Sequence, residues 1–167
     1  MRILLAAILI ASACQASAHN NPHVVEFVDL FKKYCYVSDS NLAVERRLIR
    51  DGYNRNEEFL DAYEIVIGSV DYAITPLPDD CTADVRLLHS GKLLFSQKEL
   101  INRLRSEFAL TEVESRKFDD IALNNKNTII LQSNFSDAKE RTYRLLYPEN
   151  NQASYYMTLT LRWPDQE

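Results

Sequence analysis

The residues of this chain whose chemistry could matter are three cysteines, three histidines, a few adjacent acids and a row of tyrosine, threonine and arginine near the C-terminus. Cys35 and Cys81 lack the C-x-x-C spacing that lowers one thiol's pKa for redox work. Bridging them would close a loop of about 47 residues, worth about 4 kcal/mol on the chain-entropy argument. A structural disulfide is therefore the expected state in an oxidising compartment. Of His19, His23 and His89, only His89 falls within the middle of the chain, so a Ser-His-Asp triad would have to be built around it. Gly68-Ser69 lacks the second glycine of a G-x-S-x-G elbow, and three glycines in all cannot supply a phosphate-cradling loop. A single histidine at a strand end is ordinarily a surface or half-buried polar residue. Glu57-Glu58, Asp79-Asp80 and Asp119-Asp120 point apart on helix or strand, unlike the two carboxyls that a glycosidase sets across a cleft. No cysteine and histidine spacing suggests zinc, and no acidic loop suggests calcium.

The best candidate for a binding surface is the last predicted strand. Tyr156, Thr158, Thr160 and Arg162 alternate there with Met157, Leu159, Leu161 and Trp163, so the polar set faces away from the core. Arg144, with Thr142, joins this face if the neighbouring strand is in register. Tyrosine and arginine are enriched at recognition hot spots, while threonine and tyrosine are also simply good strand formers. Both a binding surface and a plain solvated sheet face fit the pattern.

The first 18 residues resemble a secretory leader: Arg2 is the charged start, Ile3 to Ala13 the apolar stretch, and Ala16-Ser17-Ala18 the small-x-small cleavage pattern. Eleven apolar residues are too few to span a bilayer, which needs about 20. Cleavage after Ala18 would leave His19 as the N-terminus. Its amine and imidazole, with His23 or His89 as partner, would then resemble the histidine brace of copper-dependent polysaccharide monooxygenases. A frayed terminus with incidental histidines is the simpler account, so no cofactor is expected. Ala11-Ser12-Ala13-Cys14 is similar to a bacterial lipobox, and acylation at Cys14 would instead tether the domain to a membrane. The localisation expected is periplasmic or secreted, with a membrane-anchored lipoprotein as the alternative.

The elements that must position these residues follow from periodicity. Asn21-Pro22 starts a helix over 22–36, with Val24, Phe27, Val28, Phe31 and Tyr34 on one stripe. Asp39 or Ser40 caps a second, with Leu42, Leu48 and Ile49 inward and Gly52 beyond its end. A third is expected from Asn56 to Val66, although Glu64 to Ile67 could equally belong to a strand. Val70 to Thr75 and Cys81 to Leu87 alternate as two strands of a loose hairpin. Ser96-Gln97-Lys98-Glu99 is a capping box opening a helix over 97–109. Residues 111–126 are ambiguous, and three strands over 128–135, 141–147 and 154–163 read as an antiparallel meander.

The fold class expected is α+β, with helices packed on an antiparallel sheet of about five strands. Removing the leader leaves 149 of 167 residues, suited to one domain, and moves the net charge from -5 to -6. That acidity disfavours nucleic acid as a partner. With the leader, Cys35 after an amphipathic helix, Gly52-Tyr53 closing the next and Cys81 on a strand, the chain resembles small exported bacterial proteins of uncharacterised function. The resemblance implies no catalytic residues. A non-enzymatic envelope protein of binding, inhibitor or immunity type, acting on a protein partner, is expected; a periplasmic hydrolase or copper-binding protein using His89 or His19 is the alternative.

Overall fold

A computed structural model describes residues 21–56, 61–119, 129–149 and 156–164. The leader, Cys14 and His19 lie outside the described residues, as do Glu57, Glu58 and Asp120. The first helix, α1 (Pro22–Phe31), begins as its sequence dictates: Pro22 occupies the first turn and the Asn21 side chain accepts from the His23 N–H at 3.1 Å. Its last turn widens into a π-helical segment, Lys32–Tyr36, in which the Val37 N–H reaches the Lys32 carbonyl. The second helix, α2 (Asn41–Arg50), is capped by Ser40. Val44 and Leu48 are its buried residues, whereas Leu42 and Ile49 are 56% and 62% exposed. The expected inward set is corrected accordingly: one turn of α2 presents Val44 and Leu48, four residues apart, and Leu42 and Ile49 lie off that stripe.

The described part of the expected third helix is strand rather than helix. In its place stand β1 (Arg55–Asn56) and β2 (Ala62–Ile67), followed by β3 (Val70–Pro76) and β4 (Asp80–Arg86). Tyr63 and Ile65 alternate with Glu64 and Val66 across the sheet, and Gly68 at φ 63° makes a two-residue hairpin turn with Ser69. After a small hairpin of β5 (Leu88–His89) and β6 (Lys92–Leu93) comes α3 (Gln97–Phe108), with the full Ser96/Glu99 capping box. Its end at Ala109 adopts a left-handed conformation, φ 51°.

The polar stretch after α3 resolves into β7 (Thr111–Asp119), and the chain continues through β8 (Ile129–Ser136), β9 (Thr142–Pro148) and β10 (Tyr156–Arg162). All pairings are antiparallel, and the main sheet has eight strands in the order β1-β2-β3-β4-β10-β9-β8-β7. The α+β class holds, but the sheet is larger than the expected five strands. The excess comes from β1 and β2, where a helix from Asn56 is expected with Glu64 to Ile67 equally open to strand, and from β7, which carries no apolar alternation. The strand order is palindromic. A four-strand meander preceded by helices, β1 to β4, meets a second meander preceded by α3, β7 to β10, along the single β4–β10 seam.

One apolar core lies between the helices and the sheet, with Phe27, Phe31 and Tyr34 from the N-terminal helix, Leu104 and Phe108 from α3, and Val85, Leu145 and Leu159 from the strands. Phe108 bridges two elements, edge-on to Phe31 at 5.7 Å and stacked on Tyr143 of β9 at 6.4 Å. Cys35 is bonded to Cys81, so the π-helical turn is stapled to β4. Among the described residues no helix is long and apolar enough to cross a membrane.

Candidate functional site

Strand alternation divides the sheet into a core face and a face that carries no helix among the described residues. On β4, Cys81, Ala83 and Val85 are buried in the core, so Asp80, Thr82, Asp84 and Arg86 point the other way. Register extends the same division to β10 and β9. Thr158 pairs with Asp84, Thr160 with Thr82 and Arg162 with Asp80; on the far side Thr160 pairs with Arg144 and Arg162 with Thr142. Tyr156, Thr158, Thr160, Arg162 and Arg144 therefore share one face.

Cross-strand bonds tie most of that row to β4. Arg162 forks onto Asp80 through Nε at 2.8 Å and Nη2 at 3.2 Å. Thr158 donates its hydroxyl to Asp84 at 2.5 Å, and the hydroxyls of Thr82 and Thr160 lie 3.3 Å apart. The Arg86 guanidinium donates to the Tyr156 hydroxyl and lies 5.5 Å from its ring. The row is less open than alternation alone suggests, because Thr160 is only 6% exposed. Asp84 is half-buried, and burial pushes its carboxyl up to about 6 against the opposing pull of the Thr158 hydrogen bond.

Two hollows open on this face. The first, of about 360 Å³, is lined by Gln132, Asn134, Thr142, Arg144, Thr160 and Arg162, with Asp80 at the β4 side and Val113 at the β7 side. The second, of about 250 Å³, is lined by Glu64, Val66, Asp71, Tyr72, Ala73 and Tyr156. Asp84 and Thr158 occupy the row between them. The hollows differ in sign. The first gathers guanidinium, amide and hydroxyl donors around one acid, Asp80, whose two oxygens Arg162 already occupies. The second holds Glu64 and Asp71. Asp84, Gln132 and Asp71 belong to this face but were not picked out from sequence; the two-residue period of β3, β4 and β8 was the signal that could have found them.

The other candidates are dispersed. His89 Nε2 lies 3.0 Å from Ser69 Oγ, joining the β2–β3 turn to β5. No described carboxylate meets the other ring nitrogen, so the pair lacks the orienting acid of a triad. His23 Nδ1 lies 3.3 Å from Glu26 Oε2 on the same helix. Among the described residues no group of three or more His, Cys, Asp or Glu could hold a metal ion. Cys35 and Cys81 serve each other in the disulfide. No family model, no curated protein and no solved structure matches this chain.

Proposed function

We propose that the chain is exported and works as a non-enzymatic binding module, engaging a protein partner of the cell envelope through the helix-free face of its sheet. The carrying observation is the contrast between the two faces. One is consumed by the core, while the other is polar, hollowed in two places and carries Arg86, Arg144 and Arg162 together with Tyr156. The Cys35–Cys81 bridge supports the export reading, since such bonds persist in oxidising compartments. A photoreactive residue at Thr142 or Tyr156 should give one defined adduct in the native envelope, and the same residue at Leu42 or Ile49 on α2 should give none. Adducts from α2, or from neither surface, would sink the proposal.

A hydrolase is the second reading, favoured by the Ser69–His89 contact alone. A fluorophosphonate probe should then label the wild-type protein and leave Ser69→Ala unlabelled. Absence of label from the wild type removes it.

A further inference from the structure

The charged side chains around the two hollows are not equally satisfied. Among the described residues, Arg50, Arg55, Arg103, Arg105, Arg141 and Arg162 each reach an acid. Arg144 is exposed and has no hydrogen-bond or ion-pair partner among the described residues, although it lines the first hollow. Two acids close to it by hollow and register are engaged: Asp80 by Arg162, and Glu114 by the Asn134 amide at 3.3 Å. Asp71 is the counterpart in the second hollow, exposed and likewise without a partner among the described residues, while Glu64 beside it accepts from Asn56 at 3.1 Å. Arg46 and Arg47 on α2 also lack an acid among the described residues, but they line neither of these two hollows.

Register fixes how far apart these two charges stand. The Arg144 row runs through Thr160 and Thr82 to Thr75 on β3, three strand spacings away, and Asp71 lies four residues further along β3. With strand spacings of about 4.8 Å and a rise of about 3.3 Å per residue, the two Cα atoms are about 20 Å apart. A metabolite of drug size cannot bridge that span, whereas a standard protein interface covers it.

Resting on the reading of this face as a protein-binding surface, we propose that Arg144 and Asp71 are its two charge anchors. The partner is a protein that presents an Asp or Glu carboxylate to the first hollow and a Lys or Arg side chain to the second, about 20 Å away. In the first hollow the carboxylate takes the guanidinium fork of Arg144, with the Thr142 hydroxyl as a further donor. In the second, the cation meets Asp71 and Glu64 beside the Tyr156 ring. Opposite charges at fixed separation set the orientation of docking and reject a partner turned end for end.

The hollows can be tested without knowing the partner, using side-chain mimics as probes. N-acetylglutamate amide and N-acetyllysine amide would be titrated separately into the isotopically labelled mature protein and followed by amide chemical shifts. The glutamate mimic should move Arg144, Thr142 and Thr160 saturably, and the lysine mimic Asp71, Ala73 and Tyr156. Arg144→Gln should abolish only the first response and Asp71→Asn only the second, with the remaining spectrum unchanged as proof of folding. Equal responses to both mimics at one hollow, responses that survive these substitutions, or no response at all would overturn the proposal. Adducts at Thr142 and Tyr156 with no mimic response would leave the face in use but its anchors elsewhere. A mimic response without adducts would spare the anchors and remove the partner.

Discussion

Asp84 and Asp51 carry the pH dependence at the scale of single residues, with opposite signs. Burial raises the Asp84 carboxyl from 3.8 to about 6, so the folded protein holds a proton that the unfolded chain has released between about pH 4 and pH 6. Stability contributed by this group therefore falls as pH rises through that window and is level above it. Asp84→Asn keeps an acceptor for Thr158 and removes the buried charge, so it should stabilise the protein by about 2 kcal/mol at pH 7.5 and by nearly nothing at pH 4. Urea midpoints across that range read the difference, and an equal gain at every pH would contradict it. Asp51 runs the other way. Lys33 first, then Arg50, hold its carboxyl down at about 2, and Tyr34 donates to it at 3.0 Å. Its contribution is present above pH 4 and is lost as pH falls toward 2. Asp51→Asn should flatten that acid limb of the melting temperature and leave the limb from Asp84 in place.

At the scale of elements, α3 is the simplest to test. The Ser96 hydroxyl accepts from the Glu99 N–H while the Glu99 carboxylate accepts from the Ser96 N–H at 2.7 Å. Ser96→Ala should cost about 1 kcal/mol in the denaturant midpoint with the slope unchanged. This helix, the start of α1 and the meander strands were legible in the sequence because each is written in local chemistry: caps, an N-terminal proline, clean alternation. β2 was only half legible: Glu64 to Ile67 fitted helix and strand equally, and what decides the matter is pairing with β3, a neighbour that no local pattern names. β7 was illegible for a related reason. It is an edge strand whose residues from Thr111 to Lys117 are exposed, so no apolar period marks it. The candidate face divides in the same way. Tyr156, Thr158, Thr160 and Arg162 follow from alternation alone, and Arg144 joins them through register. The hollows depend on how the strands and their side chains sit together, and the Ser69–His89 contact on how two hairpins meet; neither is a property of any window of sequence.

For the whole molecule, the Cys35–Cys81 bridge joins helix end to sheet across a sequence separation of 46. The double variant Cys35→Ala/Cys81→Ala should lose up to about 4 kcal/mol of unfolding free energy. A difference near zero between it and the wild type would show that the bridge forms without constraining the unfolded chain. The palindromic strand order has a kinetic consequence of its own. The two meanders can each zip from neighbouring segments, but the seam between them pairs residues as distant as Asp80 and Arg162, 82 positions apart. Closing so long a loop comes late and slowly. Until β10 docks, β4 and β9 are both raw edges in the middle of the future sheet, each with a complete apolar alternation on one side. A chain cut before Tyr156 would hold that state permanently, and it should self-associate through those edges rather than merely unfold.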